Sequence, residues 1–463
     1  MANANNKKAC CSKEGFFVIY KPLTKKRNEH NGFDVIKQFK SSAKEGRTLS
    51  MRSKRKDIDM TEGSIIKLLI EFAAPLTLGL LFQQLYNTVD TLVVGNYVGK
   101  EALAAVGSTG PIVNTLIGLF MGFSIGSNVI ISQYYGAHDN DSVHDVVHTT
   151  ILMTFILSVV LTVVGVICVP YMLIFMNTPD DVIGMSSEYL RIYFYGIIGL
   201  LFYNMGSGIL RAVGDSKRPL YFLIFSAIIN TVLDFVFVLF FGMGVAGVAW
   251  ATAIAQILSA LLILIVLSRA NGPYKLYWSH LNINFSMLKK ILKIGLPSSI
   301  QQGLTSFSNV FVQGYINNFG SVFMAGYSAY NKVDAVSLLP MQAISMGSTT
   351  FVGQNTGAGN IVRAKKGTKI SLLLAMASTG ILITPLMLFA EPIISIFNND
   401  PGVIYYGSLY IRLISPFMLL CCVNQIYAGT LRGVGDARAP MFIMLGSFVV
   451  FRQIYLYIVS HSL

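Results

Sequence analysis

Four polar side chains stand within apolar stretches of the sequence and have the chemistry to hold a cation or a proton. Asp90 comes late in the first long apolar segment, Asn230 and Asp234 are four residues apart in the fifth, and Thr252 lies in the sixth. A charge at the centre of a bilayer costs at least about 2.5–3.5 kcal/mol, so an acid there indicates a function. Carboxylate, amide and hydroxyl oxygens suit a hard cation such as Na⁺, and two neighbouring carboxyl groups can share a proton. We predict that the four residues converge; the alternative is a hydrogen-bonded cluster that only fixes packing.

The first segment carries further polar residues around Asp90. Gln83, Asn87 and Asp90 follow one another at helical spacing and therefore share a face, and Tyr86 lies one turn before Asp90. Pro75 lies in the same segment and should kink it, since proline removes a helical hydrogen bond. We predict a supporting role for Gln83, Tyr86 and Asn87 and a hinge at Pro75.

The second half of the chain offers residues that could line a central cavity. Lys332 and Asp334 could instead form a local ion pair, or the lysine could extend to the membrane surface. These candidates are Gln301, Gln302, Asn309, Lys332 and Asp334. The five cysteines and six histidines show no zinc-ligand spacing and no nucleophile constellation, so we predict neither an enzyme nor a bound cofactor.

The elements that must position these residues are membrane helices. The chain is 53% hydrophobic and 12% charged, whereas soluble domains carry about 25% charged residues. A helix needs about 20 apolar residues to cross a bilayer. Such runs predict an all-α polytopic membrane protein with spans near 64–96, 102–133, 145–170, 183–209, 217–241, 245–268, 289–317, 321–352, 367–390, 403–430 and 438–460.

Basic residues predict how these helices are oriented. Residues 1–60 carry 15 Lys or Arg against 6 Asp or Glu, and we interpret them as a disordered cytoplasmic tail beside anionic lipid rather than as a nucleic-acid binder. With the N-terminus inside, the even-numbered connections hold 14 basic residues and the opposite connections hold Lys100 alone. Because Lys and Arg favour the cytoplasmic side, this predicts a plasma-membrane protein with a cytoplasmic N-terminus. The 14 are Arg211, Lys217, Arg218, Arg269, Lys275, Lys289, Lys290, Lys293, Arg363, Lys365, Lys366, Lys369, Arg432 and Arg438.

The two halves of the chain repeat each other. Residues 210–215 return as 431–436, a spacing of 221 residues, and Pro75 returns as Pro297 at a spacing of 222, which predicts a second hinge. A repeat of six helices keeps the same orientation in both copies, and such parallel repeats bind substrate between the halves and alternate access by rocking. The candidate cation site is not repeated. Asp90, Asn230 and Asp234 correspond to Val312, Phe451 and Tyr455.

The repeat also predicts the domain organisation. We expect a first lobe of six helices over 61–270, a cytoplasmic linker over 271–288 and a second lobe over 289–463, around a central cleft. The counterpart of the sixth helix would fall near 466–489, beyond Leu463, so the second lobe is expected to have five helices.

These residues resemble the multidrug and toxic compound extrusion (MATE) family over about residues 61–460. The resemblance implies twelve helices in two lobes, a V-shaped cleft, and export of organic, mainly cationic compounds in exchange for Na⁺ or H⁺. It implies that Asp90, Asn230, Asp234 and Thr252 carry the ion, as in the branch whose cation site lies in the N-terminal lobe. The residues that carry the resemblance are Pro75, Tyr86, Asn87, Asp90, Val93-Val94-Gly95, Gln133-x2-Gly136-Ala137, Gln354-Asn355-x-Gly357-Ala358, the Arg211 and Arg432 turns, Asn230-x3-Asp234 and Gly244-x2-Gly247-x-Ala249-x-Ala251-Thr252.

Other functions remain open from the sequence. A flippase for lipid-linked saccharides or cell-wall precursors would need a cationic cavity, whereas the charges buried in the first lobe are acidic. A membrane enzyme would need a nucleophile constellation, and an inactive truncated paralogue would transport nothing. We predict a secondary transporter that acts as a monomer on small organic cations in the lipid bilayer and binds no nucleic acid.

Overall fold

A computed structural model describes residues 58–462 apart from positions 177 and 318, and these form one compact unit. The predicted tail up to residue 57 lies outside the described residues. Six helices make up the first half of the body. They are α1 (Ile65–Val93), α2 (Lys100–Gly136), α3 (Asn140–Phe175), α4 (Asp180–Ala212), α5 (Lys217–Phe235) and α6 (Gly244–Ser268).

The second half repeats this arrangement with more interruptions. Its helices are α7 (Phe285–Asn317), α8 (Ser321–Ser337), α9 (Leu339–Gly357), α10 (Ile361–Leu388), α11 (Ala390–Ser395), α12 (Pro401–Ile414), α13 (Met418–Gly433), α14 (Arg438–Met444) and α15 (Arg452–Ser462). Single π-helical turns extend three helices: Val94–Val98 after α1, Val236–Phe240 after α5 and Leu445–Phe451 between α14 and α15.

The prediction of an all-α polytopic membrane protein is confirmed. Within the described ranges there is no strand, and nine helical stretches are long and apolar enough to cross a membrane. The predicted seventh and eighth spans are helical but are not among these nine stretches. The eighth is also interrupted at Leu338, before Pro340, and the tenth has a 3₁₀ turn around Pro416, because proline cannot continue the helical hydrogen-bond ladder.

The sequence repeat is visible in the packing of the helices. In the first half, Ser124 on α2 donates a hydrogen bond to the carbonyl of Asn204 on α4 at 2.8 Å. In the second half, Ser345 on α9 donates to the carbonyl of Gln425 on α13, also at 2.8 Å. These donors and acceptors are 221 residues apart, so the two halves pack equivalent helices through equivalent bonds.

The first helix of each half starts in the core of the other half. Leu69 and Phe72 of α1 are buried in one apolar cluster with Phe351 of α9 and Cys422 of α13. The early part of α7, around Ile291, is buried in a cluster with residues of α2, α3, α4 and α6. Residues 65–76 therefore share a core with the second half of the chain, although the sequence assigns them to the first lobe.

The two predicted hinge prolines lie close to these crossings. Pro75 follows Phe72 within α1, and farther along the same helix Val93 packs in a first-half cluster. Pro297 follows Ile294 within α7, and farther along Ser308 donates to the carbonyl of Phe448 in the second half at 2.9 Å. Both prolines stand where a helix passes from one half to the other, and hinge motion there stays a prediction.

The two halves meet closely at the basic end, defined here as the end that carries the α2–α3, α4–α5, α6–α7, α9–α10 and α13–α14 connections. Gln133 of α2 donates to the carbonyl of Gly433 at 2.9 Å, and Gln354 of α9 donates to the carbonyl of Ala212 at 2.8 Å. A Cβ placed on Gly136 would overlap the backbone of Gln354. These equivalent contacts make the closure of the basic end two-fold symmetric.

The segment Ile58–Glu62 covers this closure. Met60 is wholly buried, its N–H donates to Gln354 Oε1 at 3.0 Å, and its carbonyl accepts from Asn355 Nδ2 at 3.0 Å. Arg363 donates to the carbonyl of Glu62 at 2.8 Å. The sequence assigns residues 58–60 to a disordered tail, but their backbone is hydrogen-bonded to α9 and α10, so the ordered body includes them.

Candidate functional site

Three helices bring the predicted cation ligands together inside the first half. Asp90 comes from α1, Asn230 and Asp234 from α5, and Thr252 from α6. Asn230 and Asp234 are fully buried and Thr252 is 4% exposed, whereas Asp90 is partly buried. A π-helical turn starts four residues after Asp90 and two after Asp234. Such turns are frequent at functional sites, and here they end the two helices that carry the acids.

A short hydrogen-bond chain joins the three helices. Asn230 Nδ2 donates to Thr252 Oγ1 at 3.3 Å, and Thr252 Oγ1 donates to Asp90 Oδ2 at 3.4 Å. The carboxyl groups of Asp90 and Asp234 are close enough to interact electrostatically. The four residues that the sequence places in three separate segments therefore form one cluster.

The cluster has more acceptors than donors. Asp90 Oδ1, Asn230 Oδ1 and both carboxyl oxygens of Asp234 are buried and have no hydrogen-bond partner among the described residues. Ionised carboxylates can only accept hydrogen bonds, so the two acids cannot satisfy one another. Leaving such groups buried and unpaired is costly. A proton between the carboxyl groups, or a small cation among the oxygens, would satisfy them.

Tyrosines lie near the two acids. Tyr189 and Tyr193 of α4 are 9% and 7% exposed, and their rings stack with centroids 6.4 Å apart. Tyr189 acts electrostatically on both carboxyl groups, and Tyr86 of α1 lies beside Thr252. Tyr189 is not among the site residues predicted from the sequence, although its return as Tyr410 in the repeat was a usable signal.

Comparisons with known proteins identify the family. A family model described as MatE matches residues 75–236 and 297–458, once in each half of the chain. The chain belongs to the MATE family. The recognition made from sequence motifs is therefore confirmed, and MATE proteins are membrane transport proteins.

Individual relatives agree with this assignment. The chain is 28% identical over 407 residues to the probable multidrug resistance protein YpnP of Bacillus subtilis (strain 168), covering 86% of this chain and 89% of that one. It is 31% identical over 381 residues to the probable multidrug resistance protein YoeA of the same organism, covering 81% and 82%. A solved multidrug resistance MATE transporter in an outward-facing conformation has the same fold, with a TM-score of 0.82 at 23% identity over 87% of this chain and 90% of that one.

Two of the predicted supporting residues of this MATE chain stay outside the cluster. Gln83 and Asn87 are exposed, and Tyr86 is the residue of that group that turns towards Thr252. A helix turns by about 100° per residue, so residues three, four and seven apart lie on the same broad face. They do not all contact the same neighbouring residue. Asp90 and Tyr86 therefore lie on the part of this face that packs near Thr252 of α6, whereas Gln83 and Asn87 do not.

The cavity candidates of the second half are dispersed. Gln301 is 1% exposed and its amide donates to Met444 Sδ at 2.8 Å, so it lies between α7 and α14. Gln302 packs against Gly118 of α2. Asn309 is exposed. That these residues line a central cavity stays a prediction.

Lys332 and Asp334 also differ in their surroundings. Lys332 Nζ lies 5.5 Å from the ring centre of Phe397, whereas Asp334 accepts a hydrogen bond from the Tyr330 hydroxyl at 3.1 Å. Within the part of the chain that the structure describes, these two residues form no ion pair with each other. Among all the residues that the structure describes, there is no group of three or more His, Cys, Asp or Glu that could hold a metal ion.

Replacing Asp234 tests whether the cluster serves packing. Both carboxyl oxygens of Asp234 are unpartnered, so Asp234→Asn removes an unsatisfied buried charge and keeps the shape. We expect its thermal unfolding midpoint in Na⁺-free detergent buffer at neutral pH to equal or exceed that of the wild type, because functional sites trade stability for chemistry. Asn230→Ala, which deletes the donor to Thr252, is the matched comparison and should unfold at a lower temperature. A large loss of stability in Asp234→Asn would assign the cluster to packing.

Proposed function

We propose that this MATE chain is a secondary transporter that exports organic, mainly cationic compounds in exchange for Na⁺ or H⁺. The observation that carries the proposal is the buried cluster of Asp90, Asn230 and Asp234, whose acceptors outnumber its donors and which the Thr252 hydroxyl links together. Two acids in an apolar lobe need a positive charge to offset their desolvation. A transported cation supplies that positive charge while it is bound, and the site loses the charge when it opens and releases the cation.

Both coupling ions are compatible with the donor set. For Na⁺, two carboxylates, the Asn230 amide oxygen and the Thr252 hydroxyl provide the oxygen ligands that hard cations prefer. For H⁺, the proximity of Asp90 and Asp234 favours one shared proton. Either ion would compete with the positive charge of a substrate for the same lobe. Binding of the ion would then favour release of the substrate, which gives exchange.

The proposal places the basic end in the cytoplasm of a plasma-membrane protein, by the distribution of Lys and Arg. The halves are in contact there through Gln133, Gln354, Gly136 and Gly357. Alternating access would break these contacts and rock the two halves about the crossings at Pro75 and Pro297. The equivalent contacts that each half makes with the other support this motion, because a pseudo-two-fold interface can open without unfolding either half.

Transport in everted membrane vesicles tests the function. Vesicles that contain the protein are loaded internally with either Na⁺ at equal pH or H⁺ without Na⁺, and ethidium accumulation is followed by fluorescence. We expect dye accumulation under at least one gradient and its collapse when an ionophore dissipates that gradient. Vesicles from cells without the protein are the control. Equal accumulation in both preparations under both gradients would contradict the proposal.

A further inference from the structure

The second half contains a partly buried cation that the coupling site does not use. Arg452 is the first residue of α15 and lies near the middle of the apolar stretch Arg438–Ser460. It is partly buried, and among the described residues no carboxylate lies within 4 Å of its nitrogens. An ionised residue inside a membrane span indicates a function and calls for a partner.

The groups around Arg452 leave its charge unneutralised. Its Nη2 donates to Ser308 Oγ at 2.7 Å, and its guanidinium lies 6.0 Å from the ring centre of Phe448. Gln453 Nε2 also donates to Ser308, to Oγ at 2.9 Å and to the carbonyl oxygen at 3.1 Å. The Ser308 hydroxyl oxygen therefore already accepts two bonds. The buried Arg452 Nε has no partner in the described part of the chain, and a guanidinium has five N–H donors to place.

This cluster occupies the place in the second half that the acidic cluster occupies in the first. At the spacing of 222 that relates Pro75 to Pro297, Tyr86 corresponds to Ser308. At the spacing of 221, Asn230 corresponds to Phe451, the neighbour of Arg452. The helices that hold Asp90 and Asp234 thus have counterparts that hold Ser308 and Arg452.

A π-helical turn explains why Arg452, and not Phe451, faces inwards. The turn Leu445–Phe451 ends directly before Arg452, and a π-helical turn inserts one extra residue into the helical register. Phe451 and Tyr455 are 69% and 56% exposed, whereas Asn230 and Asp234, their counterparts by sequence, are fully buried. The shifted register turns Arg452 towards α7, where Ser308 lies.

The ring of Phe448 adjoins Arg452, and a group of tyrosine rings lies in the same half. Tyr327 of α8 acts electrostatically on the Arg452 guanidinium, and its ring centre lies 5.3 Å from that of Tyr410 on α12. The ring centres of Tyr410 and Tyr330 are 5.6 Å apart. Aromatic faces beside a fixed cation suit an amphipathic ligand that carries both a flat apolar part and an anionic group.

We propose that Arg452, with Ser308 and Gln453, forms an oxyanion-binding subsite in the second half of the chain. It takes a carboxylate or another oxyanion, and the planar guanidinium holds it through paired N–H···O bonds. The two halves thus carry polar sites of opposite sign: acceptors around Asp90 and donors around Arg452. The inference rests on the proposed function in one respect, namely that the anionic ligand is a transported compound.

Binding of a matched dye pair to the purified full chain tests this subsite. Rhodamine 110 has a free carboxyl group and rhodamine 123 is its methyl ester, so the pair differs at the oxyanion alone. Fluorescence polarisation in dodecyl maltoside gives both affinities for the wild type and for Arg452→Gln. We expect Arg452→Gln to weaken rhodamine 110 binding at least about tenfold relative to rhodamine 123, because a buried charge pair loses one partner.

Two further variants keep the test decisive. Arg452→Lys keeps the charge without the planar fork and should lose less selectivity than Arg452→Gln; the lysine variant also serves if the glutamine variant does not fold. Arg412→Gln removes an exposed arginine that pairs with Glu391 at 3.0 Å, and its dye selectivity should match the wild type. An Arg452→Gln protein that loses both dyes equally, or neither, overturns the subsite.

Added lipid distinguishes the source of the oxyanion. If a phospholipid headgroup fills the subsite, anionic phospholipid competes with rhodamine 110 for the wild-type protein, whereas a sugar-headed lipid without phosphate does not. In Arg452→Gln the two lipids should then have the same effect on rhodamine 110 binding. If transported compounds fill it, the two lipids act alike and the dye selectivity remains; both results keep the oxyanion assignment. The binding assay needs no ion gradient. It can therefore support the subsite even if ion-driven export fails in vesicles, and the two proposals can be rejected separately.

Discussion

Asp90→Asn is expected to lower gradient-driven ethidium accumulation in everted vesicles by at least about tenfold. The variant removes a negative charge that would pair with the coupling cation, and losing one partner of a buried ion pair costs about 2–5 kcal/mol. Asp90 is the acid that accepts from Thr252 at 3.4 Å and approaches Asp234. Asparagine keeps the size and accepts the same hydrogen bond, but it carries neither a proton nor a negative charge. The variant should therefore fold and fail to couple.

The control for this variant is an acid outside the cluster. Glu101 lies at the start of α2, and its side chain is 49% exposed beside Lys100. Glu101→Gln removes the same charge by the same chemistry and should transport at the wild-type rate. Wild-type accumulation by Asp90→Asn, at equal expression and with the same ionophore sensitivity, would rule out coupling through Asp90.

Addition of Na⁺ links the transport result to the site. If Na⁺ is the coupling ion, it should raise the thermal unfolding midpoint of the purified wild type and leave Asp90→Asn unchanged, because a ligand stabilises only the state that binds it. If H⁺ is the coupling ion, Na⁺ should act on both proteins alike. The same preparation therefore separates the two ions that the oxygen donor set admits.

Gly357→Ala is expected to have the second largest effect, by preventing closure of the basic end. A Cβ on Gly357 would overlap the backbone of Gln133 in the other half, and backbone cannot move aside as a flexible side chain can. Overpacking of this kind costs about 1–3 kcal/mol. If the two access states are similar in free energy, that is enough to shift their populations by about 5–150-fold, so ethidium export should fall several-fold or more while the protein still folds.

Labelling at the basic end reports the closure directly. Ala358→Cys, on a background with the native cysteines replaced by serine, should react with maleimide faster when Gly357→Ala is present. Gly380→Ala is the matched control, since this glycine lies within α10 and a Cβ added to it would meet nothing within 4 Å. Unchanged labelling and export in Gly357→Ala would show that the tight contact at Gln133 does not limit transport.

Much of this architecture could be predicted because its signals are local in the sequence. Apolar runs of about 20 residues specify membrane helices, since a bilayer leaves no water to satisfy an exposed backbone. A constant spacing between motifs showed the repeat. The candidate acids were visible for the same reason: Asp90 and Asp234 are charges within apolar runs, and such charges are rare.

Other features depend on register and on contacts between distant segments, which periodicity does not encode. The inward turn of Arg452 depends on one extra residue in a π-helical turn, and a sequence alignment without gaps assigns that place to Phe451. The burial of Met60 depends on Gln354 and Asn355, which are 294 and 295 residues away. The sequence shows no apolar run there. The segment is held by backbone hydrogen bonds to side chains of α9 and by the packing of Met60 in the apolar cluster around Phe72.

The sequence by itself determined the membrane class, the family, the parallel repeat and the identity of the acids in the first half. The tertiary structure decided that Asp90, Asn230, Asp234 and Thr252 meet with unpartnered oxygens, that α1 and α7 each begin in the opposite half, and which residues close the basic end. The physical reason is that burial and helix formation follow from residue types along one segment. Contacts between helices depend on how segments of similar hydropathy rotate and pack, and many arrangements satisfy the same pattern.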